Sequence, residues 1–311
     1  MRICSVLPSA TEIVYALGAG EMLTGVSHEC DYPPEAQRKP VVSRARFDHT
    51  ALDSAAINAL VSQALRNGES LYTIDRQALS QANPDLILTQ ELCDVCAVTG
   101  TELSRAVREL PLTPEVVTLT PRGLHGIFEN IRAVGEAIGL RERAARLVSE
   151  LAARVDRVAA ATRGVHRRPR VFCLEWLDPP YASGHWVPEL VELAGGVDVL
   201  GRKGEDSTRI RWEAIVESAP EALVVMPCGF DVARAMSEVR RLEQRPGWWS
   251  LPAVREDRVY VTHASAYFSR PGPRVVDGLE ILAHIVHPEL FPRQYSDRVL
   301  RRVPQRQQTV A

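Results

Sequence analysis

Two cysteines three positions apart are the residues of this sequence best suited to chemistry. Cys93 and Cys96 stand in the stretch TQELCDVCAV, directly after an apolar run. Such a pair can be a redox couple, half of a zinc site, part of a cluster ligand set, or two packed small residues. A structural zinc site needs four ligands, commonly from two close pairs, and the sequence has only one close pair.

A third cysteine extends the metal hypothesis. Cys30 follows another predicted strand, and His28 or His263 are further candidate ligands. Thiolate and imidazole are soft to intermediate donors, so Cys30, Cys93 and Cys96 together would suit a soft metal. The alternative is that these thiols pack loops and hold no ligand. Cys4 and Cys173 fall inside apolar strands and are expected in the core, because free cysteine is among the most buried residue types.

The composition is that of an ordinary globular protein. The chain has 311 residues, 45% hydrophobic and 24% charged, which is enough for two domain-sized cores. A net charge of −2 provides no basic excess for nucleic acid or an anionic membrane, and no apolar run approaches the ~20 residues that span a bilayer. The opening MRICSVLPSATEIVYAL lacks the features of a leader. We therefore expect a cytoplasmic location with reduced cysteines, or a periplasmic one if the true start lies upstream.

Short apolar runs alternate with helical periodicity in both halves of the chain. This pattern is typical of parallel sheets covered on both faces, and its repetition predicts an α/β protein with two lobes. Ser9 is predicted to cap the helix after the first strand. The predicted strands are residues 2–8, 23–29, 41–45, 84–90, 115–121, 170–177, 221–229 and 258–264.

A long helix is predicted between the two halves. The chain has no Gly or Pro from Arg141 to Arg163, and Leu147, Leu151, Val155 and Val158 recur at helical spacing. A helix over residues 141–162 would be about 33 Å long, enough to bridge two lobes. The alternative is one surface helix of a single larger domain.

Candidate ligand-binding residues follow the predicted strands. Ligands of open parallel sheets bind beyond the carboxyl ends of the strands. The side chains at these ends that are suited to bind a ligand are Ser9, Thr11, Glu29, Tyr32, Glu91, Trp176, Phe230, His263, Tyr267 and Arg270.

The order of several segments resembles a known family. PSATEIVYALGAG, GVSHECDYPPEA, SLYTIDRQAL, NPDLILTQELC and a closing SRPGPRVVDGLEILAHIVHPELF resemble the helical-backbone substrate-binding proteins of ABC importers, most closely the cobalamin-binding members. The resemblance implies two Rossmann-like lobes joined by one long bridging helix, with a corrinoid or metal chelate in a cleft between the lobes. It places an N-terminal lobe at 1–124, a helical segment at 125–164, a C-terminal lobe at 165–292 and a polar tail at 293–311.

The resemblance also implies roles for particular residues. Exported cobalamin binders line the N-lobe cleft with aromatic rings, where this chain has Glu29, Ala45 and Gln90. Tyr72 and Trp186 are then expected among the apolar walls for a large planar ligand. Independently of the resemblance, the softness of thiolate donors means that the cysteines would also suit the cobalt of a corrinoid.

Two acidic residues match the family's docking positions. Members present an acid on each lobe that pairs with arginines of an ABC permease, and Asp75 and Glu213 occupy the corresponding helix starts. A first-turn acid is also favoured by the helix dipole, by about 0.3–1 kcal/mol, which is the alternative explanation for both.

Motifs of common enzymes are missing. The sequence has no G-x-S-x-G, no Walker loop and no G-x-G-x-x-G after a strand. We predict a binding protein for a corrinoid or related metal chelate, linked to ABC-type uptake or intracellular handling, without nucleic acid binding or membrane insertion. The alternative is a cytoplasmic thiol-dependent enzyme that processes a metal or corrinoid, and turnover of the ligand would distinguish the two.

Overall fold

The computed structural model describes residues 1–90, 100–111 and 113–304. The chain forms two compact units. Unit 1 consists of Met1–Pro121, His125–Leu151 and Pro271–Pro273, and unit 2 of Arg122–Leu124, Ala152–Arg270 and the segment from Arg274 onward.

The sheet of unit 1 is a predominantly parallel sheet. Its strands are β1 (Ile3–Ser5), β2 (Leu23–Ser27), β3 (Val41–Ala45), β4 (Tyr72–Ile74), β5 (Leu86–Thr89) and β6 (Glu115–Thr118), in the order β4-β3-β2-β1-β5-β6. Only the β3–β4 pair is antiparallel among the described strands. The central strands β1 and β5 are buried along their whole length, as expected for a sheet covered on both faces.

Helices connect these strands. They are α1 (Pro8–Ala16), α2 (Ser54–Arg66), α3 (Arg76–Ala82), α4 (Gly100–Arg108) and α5 (Leu124–Ala137), with short 3-10 helices at Gly20–Met22 and Pro34–Arg38. The expected N-cap of α1 is wrong: Leu7 holds the cap position, and Ser9 lies in the first turn. Pro8 explains this start, because its fixed φ suits the first helical position and it has no N–H to leave unsatisfied.

The long helix α6 spans Arg141–Thr162, as predicted. Its buried stripe is formed by Ala144, Val148, Leu151, Val155 and Val158. Leu147, which was predicted to share this stripe, is half-buried. The division between the units falls after Leu151.

Unit 2 contains a mixed sheet. Its strands are β7 (Arg170–Trp176), β8 (Tyr181–Ala182), β9 (Val197–Asp198), β10 (Thr208–Arg209), β11 (Ala222–Val225), β12 (Val259–Thr262) and β13 (Leu300–Arg302). The order is β10-β8-β7-β11-β12-β13, and β9 also pairs with β7. Strands β7, β9, β11 and β12 pair in parallel, whereas β8, β10 and β13 join through antiparallel pairs.

The helices of unit 2 cover this sheet. They are α7 (Val187–Leu193), α8 (Trp212–Ser218), α9 (Val232–Val239), α10 (Pro252–Arg255), α11 (Ala264–Tyr267) and α12 (Val275–Val286), with 3-10 helices at Leu242–Gln244 and Trp248–Ser250. Helix α12 is largely apolar and buries nine of its twelve residues. Within the described residues, no helix combines the length and apolarity needed to cross a membrane.

The C-terminal segment differs from expectation. A polar tail was expected over residues 293–311, but β13 lies within it and pairs antiparallel with β12. Leu300 and Val303 are each 8% exposed, while Arg302 lies 3.2 Å from the Asp257 carboxylate. Two apolar side chains and a free sheet edge are therefore enough to add residues 300–302 to the sheet as a strand.

In each sheet the strand order changes direction at one strand: successive strands are added first on one side of it and then on the other. In unit 1, β2 and β3 lie on one side of β1 and β5 and β6 on the other; in unit 2, β11 and β12 lie on one side of β7 and β8 and β9 on the other. Ligands of open α/β sheets bind outside the carboxyl ends of the strands at such switch points. The candidate sites are therefore the residues that follow β1 and β5 in unit 1, and β7 and β11 in unit 2.

Candidate ligand-binding site

Several predicted ligand residues of unit 1 lie beneath its surface. Ser9 is 2% exposed, Thr11 is fully buried and Gln90 is 7% exposed. The Thr11 hydroxyl lies 3.1 Å from Cys30 Sγ, and Cys30 is itself buried. These side chains form the floor of the strand-end region rather than its exposed surface.

Three other side chains of unit 1 come together near the ends of β2 and β3. The ring centroids of His28 and Tyr72 are 5.9 Å apart, and His28 Nε2 lies 3.5 Å from Glu29 Oε1. All three residues are half-buried. Tyr32, on the segment that follows β2, is 44% exposed. Unit 1 thus offers an acid, an imidazole and a phenol at one edge.

The His28 imidazole is held by backbone on both nitrogens. Nδ1–H donates to the Ser43 carbonyl at 3.1 Å, and the Ala45 N–H donates to Nε2 at 3.3 Å. A carbonyl only accepts and an amide N–H only donates, so this pair fixes one neutral tautomer. Burial lowers the pKa of His28, which also favours the neutral ring. Since both nitrogens are engaged, His28 is not placed to ligate a metal.

The metal hypothesis finds no support in the described part of the chain. No group of three His, Cys, Asp or Glu side chains is arranged there to hold a metal ion. Cys93 and Cys96, together with Glu91, lie outside the described residues. Cys30 contacts Thr11, and His263 Nδ1 accepts the Ala266 N–H at 3.3 Å as the N-cap of α11.

Two aromatic rings are in contact at the switch point of unit 2. The rings of Trp176, at the end of β7, and Phe230, after β11, are 5.5 Å apart in an edge-to-face arrangement. The Arg234 guanidinium lies 3.9 Å from the Phe230 ring centroid. Phe230 is 1% exposed, whereas Trp176 is half-buried. Phe230 therefore supports Trp176, whose ring remains partly accessible to a ligand.

Other predicted residues of unit 2 surround the end of β12. His263 and Tyr267 are half-buried with ring centroids 6.3 Å apart, and Arg270 is 8% exposed. Trp186 is 4% exposed, and its indole N–H donates to the Phe268 carbonyl at 2.9 Å. Trp186 is thus an interior residue of unit 2 with its N–H hydrogen-bonded, rather than part of an exposed wall for a ligand.

One notable acid was not among the predicted site residues. Glu175 precedes Trp176 in β7 and is half-buried as a residue, and burial of its carboxyl raises the pKa to about 7, with Asp198 adding to the shift. The Ser207 hydroxyl donates to this carboxyl. The available signal was an acidic residue inside the otherwise apolar strand RVFCLEW. Burying a carboxyl costs free energy unless hydrogen bonds compensate for it, and acids with shifted pKa values are common at functional sites.

The predicted docking acids both lie at helix starts on the surface. Asp75 is the N-cap of α3, and its carboxylate accepts the Ala78 N–H at 2.9 Å. Glu213 lies in the first turn of α8. Both are exposed. Asp75 therefore has a structural role in its own helix, whatever else it binds.

The two α/β units each have parallel central strands and carry aromatic and polar side chains near strand ends. Together they define a two-lobed substrate-binding protein. The chain belongs to the periplasmic binding protein family, whose model matches residues 3–266. The predicted fold class and the family resemblance are confirmed. Because the members of this family are binding proteins, the protein is not an enzyme, and the alternative of a thiol-dependent processing enzyme is not supported.

Curated relatives match most of the chain. The "Uncharacterized ABC transporter substrate-binding lipoprotein YvrC" of Bacillus subtilis is 25% identical over 301 residues, covering 93% of this chain and 81% of the relative. A vitamin B12-binding protein of Vibrio cholerae is 25% identical over 282 residues, covering 90% of this chain and 86% of the relative. Both likenesses extend across the two units.

Solved structures share the fold. A periplasmic heme binding protein from Pseudomonas aeruginosa superposes with a TM-score of 0.74 at 20% identity, covering 98% of both chains. The periplasmic vitamin B12 binding protein BtuF of Vibrio cholerae gives 0.65 at 22% identity, covering 94% of this chain and 98% of the other. At these identities the likeness establishes the fold alone.

The expected cytoplasmic location is wrong. The family consists of periplasmic binding proteins, and the relative from Bacillus subtilis is a lipoprotein, which points to a location outside the cytoplasm. The expectation rested on the opening residues, which are a weaker guide than a match along most of the chain. The premise that the cysteines are kept reduced fails with it.

Proposed function

We propose that a cobalamin-type corrinoid is the ligand of this substrate-binding protein, which passes it to an ABC permease. The support comes partly from relatives. Besides the Vibrio cholerae protein, a cobalamin-binding protein of Halobacterium salinarum is 23% identical over 296 residues, covering 92% of this chain and 69% of the relative.

The observation that carries the proposal is the Trp176–Phe230 pair. A corrin ring presents a broad apolar face, and an indole that is partly open and supported by a buried ring suits such a face. The pair lies at the switch point of unit 2, where the fold favours a ligand. Glu29, Tyr72, His263 and Tyr267 are the half-buried polar groups proposed to contact the corrin side chains.

Calorimetric and absorbance titrations test the ligand. Cyanocobalamin and dicyanocobinamide are titrated into the protein, with haem as the competing tetrapyrrole. We expect saturable binding of a corrinoid and recovery of it unchanged. Binding of haem alone, or no saturation with either corrinoid at high micromolar concentration, would refute the proposal.

A matched pair of tryptophan variants tests the site. Trp176→Ala should weaken corrinoid binding at least tenfold, about 1.4 kcal/mol. Trp249→Ala is the control, because Trp249 is 41% exposed but belongs to the 3-10 helix Trp248–Ser250 and not to the switch point. Equal affinities for the two variants would place the ligand elsewhere.

Docking to the permease is proposed to use Asp75 and Glu213. Both carboxylates are exposed at helix starts, one in each unit. Asp75→Asn and Glu213→Gln remove the negative charges but keep the side-chain shapes, and Asn remains a good N-cap. The double variant should bind corrinoid normally and fail to stimulate the ATPase of the permease in proteoliposomes. Normal stimulation would exclude these acids from docking.

The thiols Cys93 and Cys96 are proposed to contact the metal of the ligand. Support for this remains the spacing in TQELCDVCAV and the softness of thiolate donors. The double change Cys93→Ser with Cys96→Ser should weaken corrinoid binding tenfold or more, whereas Cys173→Ser, in the core of unit 2, should affect stability instead. If the double variant binds like the parent, the thiols have no ligand role.

A further inference from the structure

The Glu175 carboxyl joins two segments of unit 2 to the end of β7. The first segment is the turn 183–185, between β8 and α7. The second is the loop 199–207, between β9 and β10. Glu175 accepts hydrogen bonds from the Ser207 hydroxyl and from the Gly184 N–H, so it bonds to both segments at once.

The two segments are also paired with each other by backbone. The His185 N–H donates to the Glu205 carbonyl at 2.6 Å, and the Gly204 N–H donates to the His185 carbonyl at 2.8 Å. At Gly184 an added Cβ would lie 2.5 Å from Glu205 O and Ser207 N, so only glycine permits this approach. His185 has a φ of +54°, a conformation that non-glycine residues adopt at a cost of order 1–3 kcal/mol. The turn 183–185 and the loop 199–207 therefore form one layer, held together by backbone hydrogen bonds and a close approach at Gly184.

Other charged and titratable groups lie in the segments around Glu175. Asp198, in β9, accepts from the Ser183 hydroxyl and the Gly201 N–H, both at 2.7 Å. His185 Nε2 lies 3.3 Å from Asp206, which also lies 3.5 Å from Arg122. Cys173, two residues earlier in β7, is fully buried. No cation described in the structure pairs with the Glu175 carboxyl.

The layer is next to the proposed ligand contact. Trp176 follows Glu175 and is in register with Tyr181 of β8, which leads directly into the turn. Displacement of the turn and loop would therefore move the strand that flanks Trp176.

We propose that Glu175 is a positioning residue for the ligand. Its uncharged carboxyl holds the turn 183–185 and the loop 199–207 against the end of β7, and ionisation of this carboxyl favours opening of both segments and faster ligand release. The effect on release rests on the proposed function, but the effect on opening does not.

The pH dependence follows from the two environments of the carboxyl. In the closed arrangement burial holds its pKa at about 7, whereas a hydrated carboxyl in the open arrangement returns to about 4.3. The closed form therefore binds the proton more tightly, and opening becomes about tenfold more favourable per pH unit between these values and levels off above about 7.

Hydrogen exchange of the ligand-free protein tests the opening. The amides of Gly204 and His185 are followed at pH 5.5, 6.5 and 7.5, with rates corrected for intrinsic exchange. We expect the opening constant to rise at least tenfold over this range in the parent and in Glu205→Gln, whose side chain is on the same loop and pairs with Arg202. In Glu175→Gln the opening constant should stay flat. An equal rise with and without the Glu175 carboxyl, or a flat profile in the parent, would overturn the proposal.

A second variant covers the case in which Glu175→Gln does not fold. Ser207→Ala removes one hydrogen bond but leaves the carboxyl, so opening should increase at every pH while its rise with pH persists. Loss of the rise in Ser207→Ala would assign the pH response to another group.

Ligand release completes the test. The dissociation rate of cyanocobalamin, measured by dilution into excess competitor, should increase at least tenfold from pH 5.5 to 7.5 in the parent and stay constant in Glu175→Gln. A pH-independent rate in the parent would refute the positioning role even if the loop opens. Failure of every corrinoid to bind would instead refute the proposed function, and the exchange experiment would decide the role of Glu175 in the layer.

Discussion

The Ala45 N–H donates to His28 Nε2 at 3.3 Å, so a strand-end amide occupies the nitrogen at which this imidazole would gain a proton. Protonation would turn an acceptor into a second donor and break the bond. Burial lowers the pKa of His28 in the folded protein relative to its ordinary value of about 6.5. The unfolded chain therefore binds more protons as the pH falls through 6.5, and the free energy of unfolding contributed by His28 decreases there. Above about 6.5 this contribution is complete.

Urea unfolding at pH 7.5 and 5.5 checks this prediction. His28→Gln should show a smaller loss of stability on acidification than the parent, because Gln does not titrate. His125→Gln is the control, since His125 is 86% exposed and should leave the parent's pH response unchanged. Glu175 acts in the opposite sense over part of this range, so the decisive quantity is the difference between variant and parent. Identical differences for His28 and His125 would show that the Ala45 contact has no linkage to pH.

Asp75 allows charge and capping to be separated. Asp75→Ala should destabilise the protein by about 1 kcal/mol, because the Ala78 N–H loses its acceptor at the start of α3. Asp75→Asn should change stability by only a few tenths of a kcal/mol. Thermal unfolding of the two variants side by side measures the difference. If both variants lose the same stability, the charge matters more than the hydrogen bond.

Arg154 links α6 to α12 through two carboxylates. Its guanidinium donates to Asp277 at 2.5 Å and to Glu280 at 2.9 Å, and all three side chains are partly shielded from water. Arg154→Ala leaves two neighbouring acids without this partner, and we expect a loss of about 1–2 kcal/mol, between the values for exposed and buried pairs. Arg154→Lys should recover only part of it, because Lys cannot bond both acids in a fork.

Urea midpoints of these variants are compared with that of Arg146→Ala. Arg146 lies on the same helix and makes a 3.9 Å surface contact with Glu142. Its loss should cost no more than about 0.5 kcal/mol. A loss for Arg154→Ala as small as this would show that the paired carboxylates do not depend on Arg154.

The sequence was a good guide to the central strands and the long helix. Runs such as LILT and RVFCLEW are short and apolar, and residues 141–162 contain no helix breaker, so local pattern and final burial agree. Strands of two or three residues, such as β8, β9 and β13, were missed. Their formation depends on a partner strand distant in sequence, which leaves little local trace.

Candidate site residues were predicted less well than the fold. Position at a strand end pointed to Trp176, which is half-buried, but gave no information on which of its neighbours are covered. Trp186 and Phe230 were aromatic candidates like Trp176, yet packing in unit 2 buries both of them. Burial, with a smaller contribution from Asp198, raises the pKa of Glu175. Asp198 lies 23 positions away, so the local pattern shows an acid in an apolar strand but not its shifted pKa.

Cysteine reactivity follows from burial and gives the last prediction. Burial raises the pKa of Cys4 to about 12 and that of Cys173 well above its ordinary value, and both side chains are fully buried within strands. Because the thiolate is the nucleophile, both should resist iodoacetamide in the folded protein. Cys228 is exposed and should be alkylated first among the described cysteines. Mass spectrometry of peptides after timed alkylation, with and without urea, checks the order. Cys4 and Cys173 should become labelled only at the urea concentration that unfolds the sheets, and labelling of either in native protein would contradict their placement in the cores of the two units.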